Sequence, residues 1–400
     1  MHSVLIVVEG ASLSSAFKNN FGPLKNQWQI EFAPSAADAR RSLVNGSFDV
    51  VICDTLLSGY PAAEVLADAK AGNSKSVRIA LSPSVESETQ LDCAGVVSHL
   101  LPRLADMPSI RGAIERSLAL QAIADRNDVQ DLLPDDSPWC VIPELYTEVL
   151  DEASRLDGSL EQAANLIDMD HGLSARLLKV LNSEFFATSR TIGSVDQAAY
   201  LLGFDVVRAM LLSQLLFDRV DKVERLLPVK QLIHHSRYAA ALARKIARLE
   251  KLPSKQSDQA LFAGLLQSSG MFVMSRADPF RYAAVMDAVG GQEATFQEAE
   301  FDIFGFTHAE VGARLLHAWG LPADIIEAVA FQHTPGKCAN KNFSTLSAVY
   351  AANSLVSSLK YPAGSSVRDS IDSHYLLRVA SADAIKQWKE VSELPIRALD

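Results

Sequence analysis

The sequence lacks the features that define several classes of protein. Its four cysteines are far apart and form no CxxC pair, which argues against a zinc knuckle or a disulfide framework and predicts reduced thiols. No stretch of about 18 apolar residues is present, so we expect no membrane span. The N-terminus has no basic segment followed by a long apolar run, and hence no secretory signal is expected. Together these absences predict a cytoplasmic protein.

Positive charge is also scarce relative to negative charge. The net charge is −11 and the pI is near 5.3, which argues against broad electrostatic contact with nucleic acid or an anionic membrane. A local basic patch stays compatible with these values. Hydrophobic residues make up 48% of the 400 residues, which is ordinary for a folded protein, and this length favours two or three domains over a single core.

Short β-branched runs alternate with helix-like segments in residues 1–120. The runs cover residues 4–8, 30–32, 49–53, 77–81 and, more weakly, 96–101. Strands that are apolar on both faces and alternate with helices form a parallel, doubly wound sheet. We therefore predict an α/β flavodoxin-like domain, in which functional residues collect at the carboxyl ends of the strands.

Polar residues follow these strands where such a site would lie. Glu9 follows the first run, Asp54 the third, Ser82 the fourth and Arg103 the fifth. Together with the segment FDVVICDTLLSGYPAAEVL at residues 48–66, this pattern resembles the receiver domain of bacterial response regulators. The resemblance implies that Asp54 accepts a phosphoryl group, that Ser82 senses it, and that an acidic pair after the first strand binds Mg²⁺.

The sequence departs from the receiver pattern at two places. Val8 and Glu9 fill the acidic pair, so one carboxylate is missing and Glu9 with Asp54 would form only a weak Mg²⁺ site. The lysine–proline step after the fifth strand is inverted as Pro102-Arg103, which we expect to displace the cation. Three hypotheses stay open: a working phospho-switch at Asp54, a locked receiver that acts without phosphate, and an aspartate that only caps the following turn.

The last helix of this domain is expected to continue as a helical linker over residues 121–138. Its mixture of Ala, Arg and Asp favours a helix that ends before Pro134, and the turn sequence DDSP at 135–138 suits a boundary. Residues 139–400 carry a series of capped amphipathic helices and no strand signature of note. We predict an all-α domain with a motif-bearing core at 139–335 and a helical extension at 336–400.

The segment LFAGLLQSSG at residues 261–270 resembles the string GLLHDIG of the HD class of metal-dependent phosphohydrolases. In that class the His-Asp pair supplies two metal ligands, and here Gln267 and Ser268 stand in their places. An amide is a poor ligand and a serine hydroxyl stays protonated at neutral pH, whereas hydrolytic sites hold hard cations with carboxylate and imidazole. The resemblance therefore implies a domain without its metal and activated water. Ser269-Gly270 is expected to end this helix.

Two further regions carry specific motifs: IDMDHGLSARLLKVLNSEFF (167–186) followed by IGSVDQAAYLLGFDVVRAMLL (192–212), and FGFTHAEVGARLLHAWGLPADIIEAVAFQH (304–333). They are similar to the HDOD domain, an HD-related output domain in which the His-Asp set is incomplete. This family is a signalling module that often follows receivers or accompanies cyclic-dinucleotide enzymes. The resemblance therefore implies a protein partner, such as a histidine kinase or a cyclic-dinucleotide enzyme.

Helical spacing places three histidines toward the interior of this domain. His235, His308 and His333 each share a face with apolar residues, and we expect them to converge near Gln267. We favour a structural polar pocket in which neutral histidines, Gln267 and Ser268 satisfy one another by hydrogen bonds. A pocket for a small anion and a catalytic three-histidine metal site are the alternatives.

A catalytic site would also need a general base, and the sequence offers no obvious one. Glu300 and Glu310 qualify only if the fold brings them near the histidines. The aromatic residues of this region are expected to belong to the core rather than to a stacking platform; they are Trp319, Phe301, Phe304 and Phe306.

The sequence thus predicts a two-domain cytoplasmic signalling protein with a degenerate receiver, regulated at Asp54, and a non-enzymatic HDOD output. We expect this output to bind another protein and to need no cofactor, with Mg²⁺ considered only at the receiver site. The alternatives are a divergent metal-dependent phosphodiesterase and a receptor that binds a cyclic dinucleotide without cleaving it. Nucleic acid and membranes are not expected partners, and the oligomeric state is left open.

Overall fold

A computed structural model divides the chain into two compact units. The first contains Met1–Gln121 and Asp151–Ser159, and the second contains Ala122–Leu150 and Leu160–Asp400. The domain limits expected from the sequence, 1–120, 121–138 and 139–400, stay predictions. No helix in the described part of the chain is both long and apolar enough to cross a bilayer. The structure describes residues 2–10, 14–15, 17–18, 28–73, 75–83, 97, 99–103, 106–154, 160–170, 173–175, 177–178, 192–202, 207, 210–216, 226–291, 294–338, 340, 342–356 and 372–393.

Five parallel strands form the sheet of the first unit, in the order β2-β1-β3-β4-β5. This is the flavodoxin-like order, so the predicted doubly wound α/β fold is confirmed. The strands are β1 (His2–Val7), β2 (Trp28–Ala33), β3 (Val50–Asp54), β4 (Val77–Ser82) and β5 (His99–Pro102), and the helices are α1 (Ala36–Asn45), α2 (Ala62–Gly72) and α3 (Met107–Ala124).

Strand β3 is buried along its whole length because hydrophobic residues cover both faces of the sheet. On one face, Val51 and Cys53 pack in a cluster with residues of α1 and α2. On the other face, Val50 and Ile52 pack in a cluster that includes Ile110 of α3. The last residue of β3, Asp54, is therefore carried to the edge of the sheet with a fully buried side chain.

The joint after α3 is not one continuous helix, which corrects the expectation from the sequence. Helix α3 ends at Ala124, and a separate helix α4 (Asn127–Leu132) follows. Arg126 between them has an extended backbone, with φ −58° and ψ 126°, which is incompatible with a helix. The break leaves the carbonyl of Ala124 without a helical partner, and the side chain of Arg314 donates a hydrogen bond to it.

The second unit contains helices and no strand among its described residues, which confirms the predicted all-α class. Thr295 and Glu298 form a capping box at the start of one of these helices. The helices after α4 are α5 (Glu144–Ser154), α6 (Leu160–Met169), α7 (Val195–Leu202), α8 (Val229–Leu249), α9 (Ser254–Leu266), α10 (Ser269–Ala277), α11 (Pro279–Gly290), α12 (Phe296–Phe304), α13 (His308–Ala318), α14 (Ala323–Ala330), α15 (Thr345–Leu355), α16 (Ser373–Val379) and α17 (Ala382–Ser392).

Ser269 and Gly270 begin helix α10 rather than ending α9, which is a second correction. Helix α9 stops at Leu266, and Gln267 and Ser268 form the turn between the two helices. Gly270 is needed for packing: a Cβ atom there would lie 1.9 Å from the carbonyl oxygen of His308. The glycine thus lets α10 approach the first turn of α13.

The aromatic residues around α12 are not all buried. Phe304, Phe306 and Trp319 lie in the core, as expected, but 57% of Phe301 is exposed. The reason is helical geometry. The buried face of α12 includes Phe296 and Glu300, and Phe301 projects to the side of it.

Candidate functional site

The receiver-like site is dominated by an ion pair between Asp54 and Arg103. The Nε atom of Arg103 lies 3.1 Å from Oδ1 and 2.9 Å from Oδ2 of Asp54, and the Nη2 atom lies 2.9 Å from Oδ2. The backbone N–H of Leu56 also donates to Oδ1, at 3.0 Å. A guanidinium fork on a buried carboxylate is a strong, geometrically specific contact. Both oxygens of Asp54 are therefore engaged within the protein.

The inverted Pro102-Arg103 order does not displace the cation from the aspartate, contrary to our expectation. The backbone N–H of Arg103 donates to the carbonyl of Ser82 at 2.7 Å, so this residue still continues the pairing of β4 with β5. From that position the long side chain of Arg103 reaches Asp54 across the ends of the strands. The structure thus brings Asp54, Ser82 and Arg103 together.

Glu9 is engaged elsewhere in the same site. Its Oε2 atom accepts a hydrogen bond from the backbone N–H of Ser58 at 2.7 Å, and this bond lowers the pKa of Glu9 below its ordinary value. Val8 contributes no oxygen in the second acidic position, and the oxygens of Asp54 are held by Arg103. The residues present therefore do not fit a Mg²⁺ ion in this arrangement.

In the helical unit, Glu300 and His308 form a buried polar contact. Glu300 has no exposed surface, and its carboxylate accepts hydrogen bonds from the hydroxyl of Tyr282 at 2.9 Å and the backbone N–H of His308 at 2.8 Å. It also lies 2.7 Å from Nδ1 of His308. Because an ionised carboxylate only accepts, we assign the proton at this contact to Nδ1.

His308 and His333 face each other through their remaining ring nitrogens. The two Nε2 atoms are 3.0 Å apart, and the rings meet edge to face. With a proton on Nδ1, neutral His308 offers a lone pair at Nε2, so His333 must donate its Nε2–H. The result is a chain of carboxylate, imidazole and imidazole that could hold or pass a proton.

Gln267 and Ser268 lie near this chain and make contacts of their own. The carbonyl of Gln267 accepts a hydrogen bond from Nε2 of Gln332 at 2.9 Å, and its side-chain oxygen accepts one from Asn353. The hydroxyl of Ser268 is 3.3 Å from the hydroxyl of Ser236. These bonds tie the turn after α9 to α8, to α15 and to the residue before His333.

The structure brings two of the three histidines into direct contact. His308 and His333 touch, whereas His235 lies half-buried on α8, one residue before Ser236. Glu300 is brought to the histidines, and Glu310 is not, because it closes the N-terminal cap of α13 and pairs with Arg126. Sequence reasoning missed three participants of the network, which only tertiary packing places there: Tyr282, Gln332 and Asn353.

The site offers a poor set of metal ligands. In the part of the chain that the structure describes, no group of three His, Cys, Asp or Glu residues is arranged to hold a metal. Gln267 and Ser268 present an amide and a hydroxyl where the HD class presents imidazole and carboxylate. Both oxygens of Glu300 already accept hydrogen bonds within the protein. The chemistry that this arrangement supports is hydrogen bonding.

The folds of the two units define a class: a flavodoxin-like, receiver-like domain joined to an HD-related helical domain. Within that class the family follows from the sequence match. Residues 140–335 match the family model of the HDOD domain, and this part of the chain is an HDOD domain. Receiver-like and HDOD domains together fit a signal-transduction protein.

Individual relatives are distant. An uncharacterised protein of Treponema pallidum (strain Nichols) is 25% identical over 241 residues, which cover 58% of this chain and 43% of that protein, so the match spans less than half of its length. A solved protein of Shewanella amazonensis SB2B, whose name assigns it provisionally to the phosphohydrolases, is 19% identical with a TM-score of 0.50 and covers 69% of this chain and 97% of its own. A CheY-like receiver domain of Methanospirillum hungatei JF-1 is 16% identical with a TM-score of 0.28 and covers 30% of this chain and 96% of its own.

Proposed function

We propose that this protein transmits a signal without hydrolysis: the HDOD domain binds another protein, and the receiver-like domain regulates that binding at Asp54. The observation that carries the proposal is the turn at Gln267 and Ser268. These residues stand where the HD class places metal ligands, and Gln267 is 3% exposed and bonded to Gln332 and Asn353. The turn therefore acts as a structural junction between helices.

The imidazole chain supports the same conclusion. A hydrolytic metal site needs several lone pairs pointing at one ion and a position open to water. Here the Nδ1 atom of His308 is held by Glu300, and its Nε2 atom is held by His333. Buried polar groups that satisfy one another fix the positions of the helices that carry them. The domain would then bind its partner protein through its surface.

Regulation at Asp54 would act through the ion pair with Arg103. A phosphoryl group on Asp54, or a partner that docks over the site, must separate the guanidinium from the carboxylate before it can occupy either oxygen. Such an event shifts the protein between two arrangements only if the modified or bound form favours one of them. A histidine kinase is the partner that would modify Asp54, and a cyclic-dinucleotide enzyme is a candidate target. Both would place the protein in the cytoplasm.

The deciding experiment measures metal content and phosphodiester turnover together. The purified protein and a His308→Ala variant are loaded with Mn²⁺, Fe²⁺ or Zn²⁺ and given bis-p-nitrophenyl phosphate and a cyclic dinucleotide. We expect substoichiometric metal and no turnover above the variant. Stoichiometric metal with turnover that disappears in His308→Ala would overturn the proposal and make the protein a divergent phosphodiesterase.

Regulation at Asp54 has its own test. Wild-type protein and an Asp54→Asn variant are treated with a phosphoramidate donor in a buffer that contains Mg²⁺, and their intact masses are compared. An addition of one phosphoryl group in the wild type and none in the variant supports modification of Asp54. If neither mass changes, phosphorylation of Asp54 is ruled out, and regulation could then act only through a partner that docks on the receiver-like domain.

One observation favours a second candidate, a receptor for a small ligand at the former HD centre. The Nε2 atom of Gln267 and the Oδ1 atom of Asn353 are buried without a hydrogen-bond partner in the described part of the chain. A donor and an acceptor left in this way would suit a ligand that carries the complementary pair, such as a nucleobase. Calorimetric titration with a cyclic dinucleotide tests this candidate; binding without cleavage would support it.

A further inference from the structure

Helix α8 carries positive charge and no negative charge. Its 21 residues contain no Asp or Glu, although the whole chain has a net charge of −11. One set of basic side chains recurs at helical spacing, and we call it the basic stripe: Lys230, His234, Arg237, Lys245 and Arg248. Arg244 is buried and is not part of it.

The members of the basic stripe share one side of the helix. At 3.6 residues per turn, its members fall within about 80° of one another, and from Lys230 to Arg248 the row runs about 27 Å. The buried residues Leu232, Ala239 and Ile246 lie on the opposite side. Ala241 lies in the same arc between Arg237 and Lys245 and is buried, so the open part of the stripe runs from Lys230 to Arg237, about 10 Å, and the packed face of α8 holds it rigidly.

The open part of the stripe lacks side-chain partners in the part of the chain that the structure describes. Lys230, His234 and Arg237 are exposed there and make no hydrogen bond or ion pair through their side chains, whereas Arg248 interacts electrostatically with Asp258. Two buried arginines of the same unit are paired instead: Arg244 of the same helix with Asp258 at 2.7 Å, and Arg314 with Asp135 at 2.8 Å. Lys230 and Arg237 thus stay available to a partner of opposite charge.

Helix stability accounts for Arg248, a cation in the last turn, but not for Lys230. A cation in the first turn of a helix opposes the helix dipole, and Lys230 is the second residue of α8. Solvent-exposed helix faces usually mix both signs, as α17 does with Asp383, Lys386 and Glu390. A row of one sign is the arrangement that steers and holds a partner of the opposite sign.

We propose that the basic stripe is the docking surface for an acidic segment of a partner protein. This inference rests on the proposed protein-binding function and names where on the HDOD domain the partner sits. A protein segment fits better than nucleic acid or a membrane, because both of those present extended negative surfaces that a chain of charge −11 repels beyond the stripe. The open length of about 10 Å matches about three residues of an extended acidic strand.

The test titrates the full chain with a fluorescein-labelled peptide of twelve glutamates and follows fluorescence anisotropy at low ionic strength. The stripe variant is Lys230→Glu with Arg237→Glu. The matched control is Arg276→Glu with Lys337→Glu, which changes the net charge equally at two exposed, unpaired positions of the same unit. All four side chains are exposed, so the variants are expected to fold, and circular dichroism checks this.

We expect saturable binding to the wild type that weakens about tenfold or more in the stripe variant, changes less than about threefold in the control and falls as salt rises. Equal weakening in both variants, or no saturable binding to the wild type, would overturn the proposal. A twelve-nucleotide oligothymidine, or vesicles containing phosphatidylserine, that bind as tightly as the peptide would overturn the choice of a protein partner.

The peptide titration and the turnover assay can fail independently of each other. The titration reads no hydrolysis, so metal-dependent turnover would end the non-enzymatic role and leave peptide binding at the stripe as measured. Conversely, if the stripe variant binds the peptide as well as the wild type, the docking proposal fails and the result of the turnover assay does not change.

Discussion

The Nε2 atoms of His308 and His333 lie 3.0 Å apart, so one imidazole donates a hydrogen bond to the other. Two histidines that share a metal would instead turn both lone pairs toward the ion. Glu300 fixes the direction of this bond because its carboxylate holds the Nδ1 proton of His308. The pair therefore works as a cross-link between the start of α13 and the residues that follow α14.

The first prediction concerns this cross-link. Glu300→Gln replaces an acceptor of three hydrogen bonds with an amide whose NH₂ group faces a donor, so we expect the free energy of unfolding to fall by about 2–3 kcal/mol. Urea denaturation followed by circular dichroism measures it. Asp302→Asn on the exposed side of the same helix is the control and should change stability by less than about 0.5 kcal/mol. Equal effects of the two substitutions would contradict the network.

The second prediction concerns the ion pair of the receiver-like domain. Arg103→Ala leaves the buried carboxylate of Asp54 without its cation, and we expect a loss of about 2 kcal/mol, reduced from the cost of a fully buried pair because Arg103 is partly exposed. Adding Asp54→Asn should restore most of this loss in a double-mutant cycle. The surface pair of Arg41 with Asp38 serves as control, and Arg41→Ala should cost less than about 0.5 kcal/mol. Additive effects of the substitutions at 54 and 103 would show that the pair is not coupled.

The third prediction concerns pH. Burial raises the pKa of Tyr375 to about 12, and its hydroxyl lies 2.8 Å from that of Ser347. An unfolded tyrosine ionises near about pH 10. The contribution of Tyr375 to stability should therefore be complete below about pH 10 and be lost as pH rises through the folded value.

Two measurements check this dependence. The difference in absorbance at 295 nm between wild type and Tyr375→Phe isolates one phenol, and its titration should lie near pH 12. Urea midpoints taken at increasing pH should fall less steeply above about pH 10 in Tyr375→Phe than in the wild type. A phenol that titrates near pH 10 would show that Tyr375 is exposed to water.

The fourth prediction concerns the approach of α10 to α13. Gly270→Ala would place Cβ 1.9 Å from the carbonyl oxygen of His308, so α13 must shift, and we expect a loss of about 3 kcal/mol. Gly290→Ala, where a Cβ meets no atom within 4 Å, should be neutral or stabilise the protein by up to about 1 kcal/mol. Thermal unfolding of both variants measures the difference. A Gly270→Ala variant as stable as Gly290→Ala would contradict the packing.

The hydrophobic pattern of the sequence was enough to predict the fold, because an unbroken apolar run such as that of β3 indicates a strand buried on both faces. The same pattern predicted that His308 and His333 face inward, since helical spacing decides which face a side chain occupies. Phe301 shows the limit of hydrophobicity alone: it is as apolar as Phe304, but its position on α12 exposes 57% of it.

The partners of the site residues could not be predicted in the same way. The contact between Arg103 and Asp54 joins residues 49 positions apart and depends on the reach of one side chain across the strand ends. Glu300 meets His308 only because the chain reverses between α12 and α13 at Gly305, which has a φ of 79°. The break after Ala124 depends on the conformation of a single residue, Arg126, in a sequence with ordinary helix-forming composition.

Arg314 has a practical consequence for anyone who wishes to study the helical domain alone. Its guanidinium donates to the carbonyls of Ala124 and Leu133 and pairs with Asp135, while the indole of Trp319 donates to the carbonyl of Trp139. A fragment that begins at residue 140, where the family match begins, would lack all of these acceptors, and the buried guanidinium of Arg314 and the buried indole of Trp319 would lose these hydrogen bonds. A fragment that begins at Ala122 keeps them, and that is where expression of the isolated domain should start.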